Sequence, residues 1–146
     1  MSKLEFRAET YQDLLDEHVK LRGMLHDLER LLADREGPFS EVVARLTALR
    51  DLVDIHFAEE ESSECFPDLI AYAPRVSERV NLMLAEHGEL RSELHLMVKG
   101  VGTGTGQDWT RLADAFGVFT KKLMCHEQTE NELVQEVFTD DLGSKD

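Results

Sequence analysis

Four stretches of the chain carry apolar residues at alternating steps of three and four, and this periodicity limits what the chain can fold into. Such steps keep side chains on one face of an α-helix, so each stretch predicts an amphipathic helix with a continuous apolar seam. The seams run from Tyr11 to Leu32, Val42 to Ser63, Val76 to Met97, and Leu112 to Val137. No strand-like alternation competes with them. The pattern therefore predicts an all-α fold in which the four seams meet in one core.

Glycine and proline interrupt the sequence at three places, which separate the four stretches. These are Gly37-Pro38, the segment 67–74 between two prolines, and the glycine-rich segment 100–106. Short connections make successive helices antiparallel, which gives an up-down-up-down four-helix bundle. We expect one domain over residues 1–146, with start signals at Thr10, Ser40 and Asp108. The expected helices cover about residues 10–36, 40–66, 75–99 and 108–138.

Charge and composition exclude several classes of partner. Thirty acidic against sixteen basic side chains give a formal net charge of −14, which repels nucleic acid phosphates and anionic lipid. No apolar run approaches the ~18 residues of a membrane span, and the first residues lack the apolar stretch of a signal peptide. We therefore expect a cytoplasmic protein without nucleic acid or membrane partners. Its two cysteines are expected to be free thiols.

Ionisable side chains occupy six positions of the seams, where a core built only for packing would have leucine or valine. An isolated buried carboxylate costs several kcal/mol, so six such groups are hard to tolerate unless they act together. The six residues are His18, His56, Glu60, His87, His126 and Glu130.

The spacing of the four histidines places them in one layer of the bundle. The midpoint of His18 and His56 is Gly37, in the first break, and the midpoint of His87 and His126 lies beside Gly106, in the third. The midpoint of His56 and His87 falls at 71.5, inside the second break. Residues equidistant from the turn between antiparallel helices lie at the same height. Each glutamate follows its histidine by four residues, on the same face and roughly 6 Å along the axis. Six convergent donor groups in a dry core require positive charge, which a metal supplies.

Two metal ions fit this donor set better than one. Six side chains can saturate a single octahedral ion, but two bridging glutamates and four imidazoles give a pair about eight donor atoms. An oxo or hydroxo bridge would add two more and leave about two positions open to a small ligand. Imidazole and carboxylate without thiolate suit iron, with manganese or zinc as substitutes. The alternative is a metal-free network of histidine–glutamate hydrogen bonds, but such networks usually have fewer members.

Four sequence motifs resemble those of the hemerythrin-like (HHE cation-binding) family. They are DEHVKLR around His18, HFAEEE from His56, AEHGELR around His87, and HEQTENEL from His126. The resemblance extends from about Thr10 to Val137. It implies a di-iron centre, oxo- or hydroxo-bridged, with the two glutamates as bridges. The ligands that it implies are His18, His56, Glu60, His87, His126 and Glu130.

Two departures separate the chain from the oxygen-carrying members of that family. Those proteins have a further histidine four residues after the one that matches His87, and this chain has Arg91 there. They also end in His-x-x-x-x-Asp, whereas Glu130 follows His126 after one residue fewer, as in bacterial iron-centre repair and iron-sensing members. A guanidinium cannot ligate iron. We therefore expect solvent or a carboxylate from a neighbouring helix in place of the missing imidazole.

These features together predict a non-haem di-iron protein that binds or reacts with small oxidants. Hydrogen peroxide, nitric oxide and oxygen are the expected ligands, in oxidative or nitrosative stress defence, with catalase-like or nitric-oxide-reactive activity if the protein is an enzyme. The alternative is a module that binds oxygen reversibly, or senses iron or oxygen, without turnover. Iron storage is disfavoured because the sequence contains no Glu-x-x-His, the pair that ferritin-type sites use.

Other polar residues near the seams are expected to lie outside the metal site. His26 and His95 flank the seams and should be partly exposed, and Cys125 points away from the core. Four glutamates are interpreted as a solvated acidic face, although two of them, Glu59 and Glu127, are close enough in sequence to supply a missing donor. The four are Glu59, Glu61, Glu64 and Glu127.

Overall fold

The computed structural model describes the backbone of residues 3–143 and the side chains of residues 8–140, and it contains five α-helices. No strand occurs within residues 3–143. A single 3₁₀ turn, Pro74–Val76, precedes the fourth helix. The helices are α1 (Lys3–Asp34), α2 (Phe39–Glu61), α3 (Phe66–Tyr72), α4 (Ser77–Lys99) and α5 (Gly106–Gly143).

Four of these helices form the predicted bundle, and α3 lies across one end of it. In the bundle α1 packs against α2 and α5, and α4 packs against the same two helices. Their buried faces meet in two apolar clusters. One contains Leu25, Leu49 and Phe116, and the other, at the end that α3 covers, contains Tyr11, Phe66 and their neighbours. The polar layer lies between the two clusters, so apolar side chains separate it from solvent along the bundle axis.

The second break is more structured than the sequence predicts. The expected helix over residues 40–66 ends at Glu61, and Ser63, assigned to its seam, is exposed. Helix α2 ends because Ser62 adopts an extended backbone, while its own side chain donates a hydrogen bond to the carbonyl of Glu59. Pro67 then sits in the first turn of α3, where a proline costs no hydrogen bond.

Two of the three expected start signals do not cap a helix. Helix α1 begins well before Thr10, so this residue is helical. Helix α2 begins at Phe39 after the extended Pro38, without a side-chain cap from Ser40.

The third start signal, Asp108, lies in the first turn of α5, as expected, but it caps the helix together with Thr105. The carboxylate of Asp108 accepts hydrogen bonds from the amides of Thr103, Gly104 and Thr105, and the Asp108 amide donates to Thr105 Oγ1. This reciprocal arrangement makes Thr105 the cap of α5. Gly102 has a φ of 84°, and a Cβ there would collide with the Asp108 side chain. The turn therefore depends on this glycine.

None of the helices in residues 3–143 is long and apolar enough to cross a lipid bilayer.

Candidate metal centre

All six ionisable seam residues are buried, and the structure brings them together in one layer. His18 comes from α1, His56 and Glu60 from α2, His87 from α4, and His126 and Glu130 from α5; none is more than 3% exposed. They form two groups of four potential ligands, and both groups contain Glu60 and Glu130. We call these groups the His18/His56 subsite and the His87/His126 subsite.

In the His18/His56 subsite, both imidazoles lie near one oxygen of Glu60, and His18 also lies near one oxygen of Glu130. Oε2 of Glu60 lies 3.5 Å from Nε2 of His18 and 3.3 Å from Nε2 of His56. Oε1 of Glu130 lies 3.2 Å from Nε2 of His18. Ligand atoms about 2.0–2.2 Å from a common metal ion are separated by roughly 3.0–3.5 Å, so these distances match a coordination shell.

In the His87/His126 subsite, the opposite oxygens of the same two carboxylates face the imidazoles. Oε1 of Glu60 lies 3.0 Å from Nε2 of His87, and Oε2 of Glu130 lies 3.4 Å from Nε2 of His126. The two Nε2 atoms are themselves 3.1 Å apart. Each glutamate therefore presents one oxygen to each subsite, which is the arrangement that a bridging carboxylate requires.

Each histidine is oriented by a hydrogen bond from its outer nitrogen. Nδ1 of His56 lies 2.8 Å from Glu17, that of His87 2.6 Å from Glu61, and that of His126 2.8 Å from Glu86. Nδ1 of His18 lies 2.9 Å from Oδ1 of Asn131. Ionised carboxylates and amide oxygens only accept hydrogen bonds, so in each neutral ring the proton is on Nδ1 and the Nε2 lone pair points inward. Partners of this kind orient the histidine ligands of metal ions in proteins.

The inward-facing atoms are all acceptors, and this is the observation that fits a metal. Nε2 of His18 and of His56 has no hydrogen-bond partner in the described part of the chain, nor has any carboxylate oxygen of Glu60 or Glu130. Buried polar atoms without partners are costly. Imidazole lone pairs and carboxylate oxygens that converge without a donor are matched by cations, so these residues could hold metal.

Protons compete with metal for the same atoms. Burial disfavours the charged form of His18, but a protonated Nε2 would donate to Glu130 and Glu60, and this outweighs burial and raises the pKa of His18 to about 10. Burial likewise opposes protonation of His87, and bonds to the same two carboxylates raise its pKa to about 9. Without metal, protonated imidazoles therefore balance the carboxylate charge.

The surroundings of His87 differ from the expectation for the missing fifth histidine. The ring of Phe57 stacks on His87 with 3.9 Å between ring centroids and 2° between their planes. The Arg91 guanidinium lies 5.4 Å from the centre of the Phe57 ring and donates to Glu61. A carboxylate from a neighbouring helix is thus present, but it binds the outer nitrogen of His87. A phenyl ring covers the face of that imidazole instead.

One of the four glutamates interpreted as an acidic surface is buried. Glu127 is only 1% exposed, and neither of its oxygens has a hydrogen-bond partner in the described part of the chain. Burial raises its pKa to about 7. The sequence interpretation was wrong here because α5 buries a second stripe beside its seam, with Thr120 and Val134 one heptad on either side. Glu59, Glu61 and Glu64 are exposed, as are His26, His95 and Cys125.

The residues that orient the histidines were missed from the sequence, although an internal repeat marks them. The segment Glu17–Arg22 reads EHVKLR and the segment Glu86–Arg91 reads EHGELR, 69 residues later. The segment His56–Glu61 reads HFAEEE and the segment His126–Asn131 reads HEQTEN, 70 residues later. Each copy of the repeat thus has a glutamate directly before its first histidine. It also has a polar residue directly after the glutamate that is shared by the two subsites. These four positions hold the Nδ1 partners.

A surface cleft of about 270 Å³ between α4 and α5 reaches the His87/His126 subsite. Its walls include Glu86, Leu90, Cys125 and His126. His126 is the one ligand candidate that lines this cleft.

Comparison with known proteins identifies a cation-binding family. A family model described as the hemerythrin HHE cation binding domain matches residues 9–138. The chain matches no curated protein and no solved structure.

Proposed function

The chain belongs to the hemerythrin HHE cation-binding domain family, and from this premise we propose that it is a non-haem di-iron protein that reacts with small oxidants. Hydrogen peroxide and nitric oxide are the proposed reactants, and oxidative or nitrosative stress defence is the proposed role. The single observation that supports the metal pair most strongly is the sharing of Glu60 and Glu130 between two subsites, with one oxygen of each facing either side.

The donor chemistry supports iron as the resident metal. Each subsite offers two imidazole nitrogens and two carboxylate oxygens, and no cysteine belongs to either group. This mixture of donors suits iron, manganese or zinc, whereas a thiolate-rich set would favour zinc or an iron–sulfur cluster. Four protein donors per ion leave positions for a bridge and for a small ligand. The six proposed metal ligands are His18, His56, Glu60, His87, His126 and Glu130.

The protein residues around the pair control orientation, water and access. An iron pair, when bound, supplies the electrons that peroxide reduction requires and binds diatomic gases. The Nδ1 partners Glu17, Glu61, Glu86 and Asn131 hold the four rings with their lone pairs inward. The apolar clusters on both sides exclude bulk water along the axis. The cleft beside His126 offers small solutes an approach to the His87/His126 subsite.

Turnover is favoured over reversible oxygen carriage by the donor count. Arg91 donates to Glu61 at the surface and contributes no ligand atom, so the His87 side has one imidazole fewer than the oxygen carriers that the family contains. Fewer protein donors leave more positions for exchangeable ligands. Disproportionation of hydrogen peroxide to water and dioxygen requires no further reductant, so the proposed activity needs only the chain and its metals.

The experiment that tests the proposal compares three reactants on one iron-loaded preparation. Iron content is measured first, and then peroxide loss, the spectrum with nitric oxide, and the lifetime of any oxygen adduct are followed. We expect peroxide to be consumed over many turnovers and the oxygen adduct to be short-lived. Zinc-loaded protein is the matched control, because it keeps the fold and the ligands without redox chemistry. An oxygen adduct stable for hours, with peroxide untouched, would instead establish the carrier function.

A further inference from the structure

The carboxylate that orients His87 is itself paired with a cation. One oxygen of Glu61 lies 2.6 Å from Nδ1 of His87, and the other accepts a hydrogen bond from Arg91 at 3.0 Å. Glu17 and Glu86, which orient two other histidines of the layer, form no ion pair with an arginine or a lysine among the described side chains. A guanidinium therefore acts on the orienting group of one histidine in the layer.

The internal repeat shows which residues take these places on the other side of the layer. Arg22 corresponds to Arg91, four residues after its histidine, and Asn131 corresponds to Glu61. Asn131 accepts from Nδ1 of His18 as a neutral amide, and no hydrogen bond joins it to Arg22 in the described part of the chain. A histidine of this layer can thus be oriented without help from the arginine. The bond from Arg91 to Glu61 requires another explanation, and charge supplies one, because the ion pair is as neutral overall as an amide.

Phe57 holds Arg91 and His87 in a fixed relation. Its ring stacks on His87 with 3.9 Å between centroids, and the Arg91 guanidinium carbon lies over the same ring, 5.4 Å from its centre. A guanidinium within about 6 Å of an aromatic face is attracted to it. Phe57 is fully buried, and Arg91 is only 30% exposed. Two contacts therefore restrain the arginine, whereas the side chains of a fully exposed ion pair are mobile.

The charge of the outer partner controls how strongly an imidazole donates to a metal. A carboxylate that accepts from Nδ1 draws the proton away from the ring and makes Nε2 more basic. Arg91 opposes this effect, because a guanidinium that donates to Glu61 makes it a weaker acceptor for His87. A less basic imidazole stabilises the oxidised metal less, so hydrogen bonds of this kind adjust reduction potentials.

We propose that Arg91 is a positioning residue that neutralises Glu61 and thereby raises the reduction potential of the metal bound by His87. The proposal rests on the metal pair of the proposed function. A higher potential favours the half of peroxide disproportionation in which hydrogen peroxide is oxidised. That half delivers two electrons to two ferric ions, releases two protons and forms dioxygen. In the other half, two ferrous ions return the electrons to a second peroxide, which takes up two protons and forms two waters.

Redox titration of the iron-loaded protein, followed by its visible spectrum, tests this inference without measuring turnover. Arg91→Gln removes the positive charge but keeps an amide that can donate to Glu61. We expect it to lower the equilibrium constant for reduction about tenfold, which is about 59 mV for one electron. Arg91→Lys keeps the charge and should shift the potential by less than half as much. Arg22→Gln is the matched control, because Arg22 is equally far in sequence from its histidine and its counterpart acceptor is neutral.

Variants of Glu61 separate the effect of the ion pair from that of any nearby charge. Glu61→Gln should raise the potential, because it leaves the charge of Arg91 uncompensated. Adding Arg91→Gln to Glu61→Gln should then shift the potential no more than Arg22→Gln does, since no carboxylate remains for the arginine to neutralise. Iron content and the unfolding temperature of the metal-free protein should change little in all these variants, because partly exposed ion pairs contribute little to stability.

Equal shifts in Arg91→Gln and Arg22→Gln would overturn the inference, because any charge at that distance would then have the same effect. So would an undiminished shift when Arg91→Gln is added to Glu61→Gln. An unchanged potential with a lower unfolding temperature would give Arg91 a purely structural role and overturn it as well. Wild-type protein that shows no redox signal from two irons would overturn the proposed function itself, which is a different result.

Discussion

The Nε2 atoms of His87 and His126 lie 3.1 Å apart, while Nδ1 of each ring is hydrogen-bonded to a glutamate on the outside of the layer. With both outer nitrogens donating, two lone pairs face each other across a gap in the core. Two neutral imidazoles in that state repel, so the arrangement is stable only with a proton or a metal ion between them. Protons and metal ions therefore compete for these two nitrogens.

Loss of a bridging carboxylate should remove more metal than loss of a terminal histidine. Glu60→Ala and Glu130→Ala each take one oxygen from both subsites, whereas His18→Ala removes one donor from one subsite. We expect the glutamate variants to retain little metal after desalting, and His18→Ala to keep part of its content. Elemental analysis of the purified variants measures this difference.

Exposed histidines provide the control for that series. His26→Ala and His95→Ala should keep the wild-type metal content, because His26 is exposed and His95 bonds Asp54 at the surface. Metal loss in His26→Ala as severe as in Glu60→Ala would contradict the assignment of His18 as the ligand from α1.

Removal of the hydrogen bond that orients His126 should weaken metal binding without unfolding the protein. Glu86→Ala should lower the affinity for metal by about 10–100-fold, the usual effect of losing such a partner. Glu86→Gln should have a smaller effect, since its amide oxygen can still accept from Nδ1, as Asn131 does for His18. Competition with a chelator measures both affinities. Glu89→Gln, at an exposed position on the same helix, should bind as wild type does; equal affinities for wild type and Glu86→Ala would refute the orienting role.

Metal uptake at neutral pH should release protons. Without metal, hydrogen bonding to buried carboxylates raises the pKa of His18 to about 10 and of His87 to about 9, against the opposing effect of burial. Both imidazoles are then protonated at pH 7, and a metal can bind only after displacing those protons. Apparent affinity should therefore rise with pH up to about 10, where His18 loses its proton. Calorimetric titrations in buffers of different ionisation enthalpy count the protons, and identical heats in all buffers would argue against the exchange.

The cap of α5 should stabilise the fold independently of the metal layer. Thr105→Ala removes the hydroxyl that accepts from the Asp108 amide and should lower the free energy of unfolding by about 1 kcal/mol. Urea denaturation of metal-free protein measures the loss. Thr103→Ala is the matched control, because only the backbone amide of Thr103 contributes to the cap. Metal content should be unchanged in both variants, and a loss of metal in Thr105→Ala would show that the cap also positions α5 at the layer.

The layer of four histidines was predictable because helix geometry leaves little freedom. A constant rise per residue and short turns fix which residues share a height, so the midpoints of the three successive histidine pairs place all four in one layer. The α3 segment was not predictable in the same way. Residues 66–72 are too short for a periodic signal, and their helix is stabilised by the burial of Phe66 and Leu69 against the bundle end.

The side chains around the histidine layer could not be predicted from the sequence, because their positions depend on contacts between helices. Glu127 lies one position from the seam, and whether that position is buried depends on how closely α1 and α5 pack. The bond from His56 to Glu17 joins different helices 39 residues apart. In the sequence, only the internal repeat marks Glu17 as a special position. The repeat does not show which histidine Glu17 binds.

Crystals of the iron-loaded protein, with anomalous scattering recorded at the iron edge, test the central claim most directly. Two anomalous peaks per chain are predicted, each about 2.0–2.2 Å from two imidazole nitrogens, one pair being His18 and His56 and the other His87 and His126. Both peaks should contact Glu60 and Glu130. A single peak equidistant from all four histidines, or density without anomalous signal at the iron edge, would contradict a carboxylate-bridged iron pair.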